Sequence, residues 1–264
     1  VNITTPNVVS SQSNVTCFGG NNGSISMSVS GGTVPYHYQW SPGGVTASAI
    51  SSLPIGNYTC VITDYYACTV TKNMVITQNA ALSATIFKTD ALCYGGASGV
   101  ASISVSGIPG FGYTWKPYGG NTNVANGLAA GNYTCTVSDG YGCTLNKVTT
   151  IAQPTAIVVS AAQTNVLCFG IPSGTAGVIA TGGIAPYTYT WLPSGGTALN
   201  ASSLLAGTYT CLVADANSCI YSQTITISQP SAITAVTSQT SALCFGSSDG
   251  TANIVASGGV APYS

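Results

Sequence analysis

Cysteine recurs at positions 17, 60 and 68, then at 93, 135 and 143, then at 168, 211 and 219, and once more at 244. The first of each set advances by 76, 75 and 76 residues, and Trp40, Trp115 and Trp191 advance with them. A fixed period constrains a fold strongly, because every copy must bury its apolar face either alone or against its neighbour. Periods of about 20–50 residues build solenoids. A unit of about 75 residues is large enough for a small core of its own, so the chain reads as beads on a string. The expected units are residues 1–79, 80–153 and 154–229, with a partial fourth at 230–264 holding only its first two strands. That partial copy cannot close its own core. Either a continuation of the chain or strand addition by a neighbouring molecule would complete it.

Within the second copy, ALSATIFKTDALC and GVASISVSG alternate small polar with apolar residues and are rich in β-branched types, as strands are. GYTWKPYGG reads as a short aromatic strand ending in a Pro/Gly turn. VANGLAAGNYTCTVSD leads into a strong strand, DGYG turns the chain, and CTLNKVTTIAQ closes the unit. No stretch shows a capped 3.6-residue period. The predicted fold is all-β: tandem Ig-like or fibronectin type III-like β-sandwich repeats with about seven short strands each. Leu53, Leu128 and Leu204 stand five residues before Tyr58, Tyr133 and Tyr209, the spacing of the tyrosine corner of such sandwiches. Cys60, Cys135 and Cys211 then fall two residues after that Tyr, and the tryptophans take the strand-C position. Only ITQNA, IAQPT or ISQPS separates one unit from the next, so neighbours are expected at a fixed angle, as a rod.

Charge narrows the function. Lysine and arginine total 4, aspartate and glutamate 5, and charged residues make up 3% of the chain, against about 25% in ordinary soluble domains. Such a chain has no electrostatic footprint for nucleic acid or an anionic membrane. Ser and Thr must supply the polar surface, which suits a protein coated with sugar or packed into a polymer. Regular cysteines in small units point to an oxidising, extracellular compartment. No apolar run approaches the roughly 18 residues of a membrane span. Opening on VNITTP and closing on GGVAPYS, the chain reads as an excerpt of a longer secreted protein whose export signal lies outside it.

Catalytic chemistry finds little support. There is one histidine, His37, in one copy only, and no Glu or Arg. Asp64, Asp139 and Asp215 share a turn position that Asp favours for backbone reasons, so paired carboxylates for acid–base work are lacking. One Asp per unit is a poor calcium set, and the cysteine spacing matches no zinc pattern. The expectation is no enzyme, no cofactor and no metal. Tyr36, Tyr38 and Trp40, like Tyr187, Tyr189 and Trp191, share one strand face and are assigned to the core. Tyr65, Tyr66 and Tyr141 in the turns are candidate exposed contacts for a ligand or neighbour. Asn57, Asn132 and Asn200 stand in Asn-x-Ser/Thr sequons and are candidate glycosylation sites.

The motifs combine into one signature: C-F/Y-G, then GG-x-x-PY-x-Y-x-W, L-x-x-G-x-Y-T, D-x-x-G/S-C and a closing Q-P, with GIPGFGY at 107–113 a departure in the second copy. This resembles the SprB-type repeat found in very large cell-surface adhesins of gliding Bacteroidota, and the resemblance covers essentially the whole chain. It implies a secreted, surface-displayed protein acting in adhesion, gliding or filament building, exported by the type IX system, with no catalytic residues. Its partners would be neighbouring repeats, copies of itself, or attached and bound glycans. The alternative is a carbohydrate-binding surface module. Members often carry two cysteines per repeat, matching Cys17 and Cys68; the cysteine within Tyr-Thr-Cys departs from this and leaves the pairing open.

Sandwich topology places the A–B turn and the start of strand F at one end of a unit and the F–G turn at the other. The favoured pairs are therefore Cys17–Cys60, Cys93–Cys135 and Cys168–Cys211, each closing a loop worth roughly 4 kcal/mol by chain entropy. Cys68, Cys143, Cys219 and Cys244 remain for links between repeats or chains, or as free thiols. The competing scheme joins Cys143 to Cys17 and Cys219 to Cys93 across successive units.

Overall fold

The structure, a computed structural model, describes residues 5–264, and all of its regular elements are β-strands. The first copy contains β1 (Asn7–Ser13), β2 (Gly23–Ser30), β3 (His37–Ser41), β4 (Ala49–Leu53), β5 (Gly56–Thr63) and β6 (Thr69–Ile76). They form two antiparallel sheets, β1-β2-β4 and β3-β5-β6, the A-B-E and C-F-G sheets of an Ig-like sandwich. The second copy repeats this with β7 (Ser83–Thr89), β8 (Gly99–Ser106), β9 (Gly112–Lys116), β10 (Val124–Leu128), β11 (Gly131–Ser138) and β12 (Thr144–Ile151). The third uses β13 (Val158–Thr164), β14 (Gly174–Thr181), β15 (Thr188–Leu192), β16 (Asn200–Leu204), β17 (Gly207–Ala214) and β18 (Ile220–Ile227). In the fourth, β19 (Thr234–Thr240) and β20 (Thr251–Ser257) pair as a two-stranded sheet.

Six strands per copy, rather than about seven, have a physical reason. The segment after β3 spends its backbone on the tryptophan. The Trp40 amide donates to the Val45 carbonyl at 3.0 Å, the Gly44 amide to the Trp40 carbonyl at 2.8 Å, and the indole N–H to Ala47 O at 2.9 Å. Those groups are unavailable to an edge strand D. In copies two and three the PYGG and PSGG turns press directly on the ring's stem. A Cβ on Gly119 or Gly195 would lie 2.9 or 2.8 Å from the tryptophan Cβ, and both residues have positive φ, 134° and 131°. Only glycine fits there.

Strand alternation sorts core from surface. On β5, Tyr58, Cys60 and Ile62 face inward and are buried, while Asn57, Thr59 and Thr63 face outward. On β2, Ile25 and Met27 are buried and alternate with serines. The outer faces are hydroxyl ladders: Thr59 donates to Asn73 Oδ1 at 2.8 Å, and Thr136 to Asn146 Oδ1 at 2.7 Å. Neutral side chains that satisfy one another across strands account for a surface carrying so little charge.

Two compact units divide the chain. One comprises Val1–Thr89 and Val100–Ile151; the other comprises Asp90–Gly99 and Ala152–Ser264. The A–B segment of copy two thus groups with copy three.

Candidate functional site: a disulfide joint between repeats

Each complete copy builds the same central constellation. Trp40, Trp115 and Trp191 pair in register with Cys60, Cys135 and Cys211 on the neighbouring strand. Residues opposite one another share a sheet face, so each cysteine and its tryptophan are neighbours on the buried face of the C-F-G sheet. The three cysteines are fully buried. Tyr36, Tyr38, Tyr187 and Tyr189 pack partly buried against the same clusters. The tyrosine corners close one end of each unit: Tyr58, Tyr133 and Tyr209 donate to Pro54, Ala129 and Leu205 carbonyls, each at 3.1 Å. In copy two, burial and the hydrogen bond with Tyr118, at 2.6 Å, push the Tyr133 phenol up to about 12.

At the opposite end the aspartates that recur in the three copies hold the F–G turns. Asp64 Oδ1 accepts the amides of Tyr66 (3.0 Å) and Cys68 (2.9 Å), and its Oδ2 accepts the Thr33 amide (3.1 Å). Asp215 does the same with Asn217, Cys219 and Ile184 at 2.9, 2.9 and 3.0 Å. Asp139 accepts from Tyr141 at 2.9 Å and Cys143 at 3.0 Å. One buried carboxylate therefore positions each turn cysteine through its own amide. Burial alone would raise these carboxyls, but the converging amides outweigh it and hold Asp64 and Asp215 below the usual aspartate range.

This sets a pH dependence. A carboxyl whose folded pKa lies below its unfolded value, near ~3.9, adds stability above that value and loses it as pH falls through the folded pKa. The denaturant midpoint should therefore be insensitive to these groups from about pH 5 upward and fall below about pH 4. Asp64→Asn with Asp215→Asn should flatten that acid limb; an unchanged limb would remove the carboxylates from the account.

The A–B turns are as elaborately tied, by a network that sequence reasoning missed. The closing Gln of each unit reaches back to its own A–B turn. Gln78, Gln153 and Gln229 Oε1 accept the amides of Gly19, Gly95 and Gly170 at 2.7, 2.8 and 2.9 Å. Asn14, Asp90 and Asn165 accept the amides of Thr77, Ala152 and Ser228. Asn22, Ser98 and Ser173 accept those of Thr16, Leu92 and Leu167. The repeated Q of the closing Q-P was the available signal.

These two fixed turns meet across the joints. Cys17 is bonded to Cys143 and Cys93 to Cys219, each with a Cα separation of 5.6 Å and a sequence separation of 126. The first bond lies within one compact unit and the second within the other. Asn217 Nδ2 also donates to the Leu92 carbonyl at 2.9 Å. The favoured pairs Cys17–Cys60, Cys93–Cys135 and Cys168–Cys211 are thereby corrected: Cys60, Cys135, Cys168 and Cys211 are free thiols, as are Cys68 and Cys244. The reason is distance and direction. Cys60 is the fifth residue of β5, about 13 Å along from its start at ~3.3 Å per residue. Its side chain points at Trp40, whereas Cys17 sits in a turn tied to the end of β6 through Val15 and Gly19. A disulfide needs Cα atoms within about 7 Å. By chain entropy, a 126-residue loop contributes about 5 kcal/mol. Burial pushes the Cys60, Cys135 and Cys211 thiols up, so they are inert in the folded protein.

The remaining sequence candidates are exposed, and Tyr141 lies in the Asp139-held turn that also carries Cys143. Tyr65, Tyr66 and Tyr141 are exposed, and the first two pack edge to face with centroids 5.2 Å apart. Asn57, Asn132 and Asn200 are exposed, and Asn132 Oδ1 accepts from the Thr150 hydroxyl at 2.6 Å. Among the described residues no cluster of three or more His, Cys, Asp or Glu could hold a metal ion. No helix among them is long and apolar enough to cross a membrane.

With this geometry in view, the family comparison is direct. The SprB repeat family matches residues 9–45, 160–198 and 236–264. The chain is similar to the SprB repeat over those three segments. The matched segments run through the first strands of copies one, three and four. Copy two, where GIPGFGY replaces the GG-x-x-PY motif, lies outside the match. No curated protein sequence matches the chain. Among solved structures, an I-band fragment of titin is similar at 13% identity over 86% of this chain and 99% of that one, with a TM-score of 0.37. The N-terminal eight Ig domains of Down Syndrome Cell Adhesion Molecule are similar at 14% identity over 86% of this chain and 37% of that one, with a TM-score of 0.39.

Proposed function

We propose that this chain is the structural and adhesive repeat region of a secreted bacterial cell-surface protein, a stalk of SprB repeats with units at 1–79, 80–153, 154–229 and 230–264. The observation that carries this reading is the disulfide joint. Each bond ties one repeat to the next rather than sealing a single repeat. Such bonds add little to a soluble monomer's activity but much to a connector under load. They also require an oxidising compartment, and a nearly uncharged hydroxyl surface suits dense lateral packing or a glycan coat. The SprB repeat supports placement on the cell surface. Nothing in the reading calls for catalysis.

Labelling intact cells of the source bacterium with antibody to the repeats tests it. Surface labelling, removed by external protease, is expected; labelling only after permeabilisation would overturn it. A carbohydrate-binding role is favoured by one feature, the exposed Tyr65–Tyr66 pair. It predicts glycan binding lost in Tyr65→Ala with Tyr66→Ala, which the stalk reading does not.

A further inference from the structure

We propose that Cys135 and Cys211 are latent nucleophiles, each kept from its repeat's joint disulfide while that repeat is folded and opening it when the repeat unfolds. In both copies a buried free thiol and a joint cysteine belong to one F–G hairpin, eight residues apart: Cys135 with Cys143, and Cys211 with Cys219. Packing alone does not ask for sulfur beside the tryptophan, because a buried Cys packs there as any small apolar side chain would. What sulfur adds is a reducing partner for the disulfide a few residues along the same chain.

The fold holds the two sulfurs apart. The Asp139 amide donates to the Cys143 carbonyl at 3.0 Å and the Asp215 amide to the Cys219 carbonyl at 3.1 Å, so each joint cysteine sits opposite its turn aspartate. Cys135 and Cys211 lie four positions further down their strands, about 13 Å away at ~3.3 Å per residue. A disulfide spans Cα atoms no more than about 7 Å apart. Both thiols are 0% exposed, and burial pushes both up. Unfolding removes each of these restraints: the thiol returns to about 8.5, and a short free segment carries it to the disulfide. The Cys135 thiolate, its proton passed to water, attacks Cys143 Sγ. The Cys135–Cys143 bond forms, the Cys17–Cys143 bond breaks, and Cys17 leaves as a thiolate that takes up a proton. One disulfide and one thiol stand on each side, so no oxidant is consumed. Cys211 acts on Cys219 and frees Cys93 in the same way. The new bond and the native strand register exclude one another, so a joint is closed in a folded repeat and opens in an unfolded one. This inference concerns the chemistry of the joint and does not rest on adhesion or surface location.

The test uses the full chain with Cys68→Ser, Cys168→Ser and Cys244→Ser, which removes the free thiols that are not fully buried. It is held without reductant at about pH 8.5, where a free thiol is half ionised, in buffer and in guanidinium chloride. Samples are quenched with acid over time, alkylated and peptide-mapped. Folded, both joints should persist. Unfolded, Cys135–Cys143 and Cys211–Cys219 should be the first new links, with Cys17 and Cys93 alkylated. Cys60 is the competing nucleophile, 43 residues from Cys17; closure falling as the 3/2 power of length leaves it about tenfold slower. Adding Cys135→Ser should therefore slow the early loss of Cys17–Cys143 at least about fivefold and leave the loss of Cys93–Cys219 unchanged. Joints that open as fast in the folded chain, Cys17–Cys60 forming ahead of Cys135–Cys143, or a loss unmoved by Cys135→Ser would each overturn the proposal. Trp191→Ala supplies the selective case. At a denaturant concentration that unfolds the third repeat alone, Cys93–Cys219 should be lost and Cys17–Cys143 kept; loss of both or of neither overturns the proposal. Should Trp191→Ala fail to form its joints, the guanidinium comparison decides by itself.

Discussion

Pulled between Cys17 and Cys219, the oxidised protein will extend only about a quarter as far as the reduced protein before a covalent path becomes taut. The two disulfide loops overlap, since Cys93 lies inside the first and Cys143 inside the second. Reduced, the load-bearing path is the roughly 200 residues of backbone between Cys17 and Cys219, about 690 Å at ~3.4 Å per residue. Oxidised, the shortest path crosses the first disulfide to Cys143, returns along about 50 residues to Cys93, and crosses the second, about 170 Å in all. Single-molecule force spectroscopy with handles at the two ends, before and after dithiothreitol, reads this directly. Equal contour lengths in the two states would refute it. Overlap has a further consequence: a repeat that unfolds under load gives up only a fraction of its length, and refolds from ends already held together.

Trp191→Ala will bring the third repeat to the edge of unfolding. The side chain is 3% exposed, lies opposite Cys211, and donates its indole N–H to the Ala198 carbonyl at 3.0 Å. Truncation removes the largest element of that core and costs about 3–5 kcal/mol, and the indole hydrogen bond to Ala198 is lost with it. A unit of about 75 residues has roughly 4–11 kcal/mol in total at the usual stability per residue. Trp191→Phe keeps most of the volume and should lose markedly less. Thr210→Ala, on the outer ladder, should stay within about 0.5 kcal/mol. Denaturant midpoints with the disulfides intact would show the order; a Trp191→Ala midpoint equal to that of Thr210→Ala would contradict the core assignment.

Much of this architecture is legible in the chain because it rests on local or periodic signals. Alternation marks the strands, the Leu-to-Tyr spacing marks the corner, and the invariant interval from Trp to Cys places both on facing core positions. The cysteine pairing is not legible in that way. It depends on how deep into β5 Cys60 sits and on which turn of the following copy meets Cys17, and both are tertiary facts. The aspartates could be assigned to turns, but not to positioning Cys143 and Cys219 through their amides, because that needs the turn's three-dimensional closure. Gln78, Gln153 and Gln229 look like linker residues until their side chains are seen to fold back 58 or 59 positions. The missing strand D has the same origin: the turn after β3 reads as loop, and only the structure shows it wrapped around Trp40.

The most direct test of the joint is non-reducing peptide mapping of native protein, alkylated first under folding conditions and again after denaturation. Linked peptides carrying Cys17 with Cys143 and Cys93 with Cys219 are predicted. Cys68, Cys168 and Cys244, where not bonded to a further chain segment, should take the first label, and Cys60, Cys135 and Cys211 only the second. Recovery of Cys17 with Cys60 and Cys93 with Cys135 would place the disulfides inside the repeats and remove the covalent joint on which the proposed function depends.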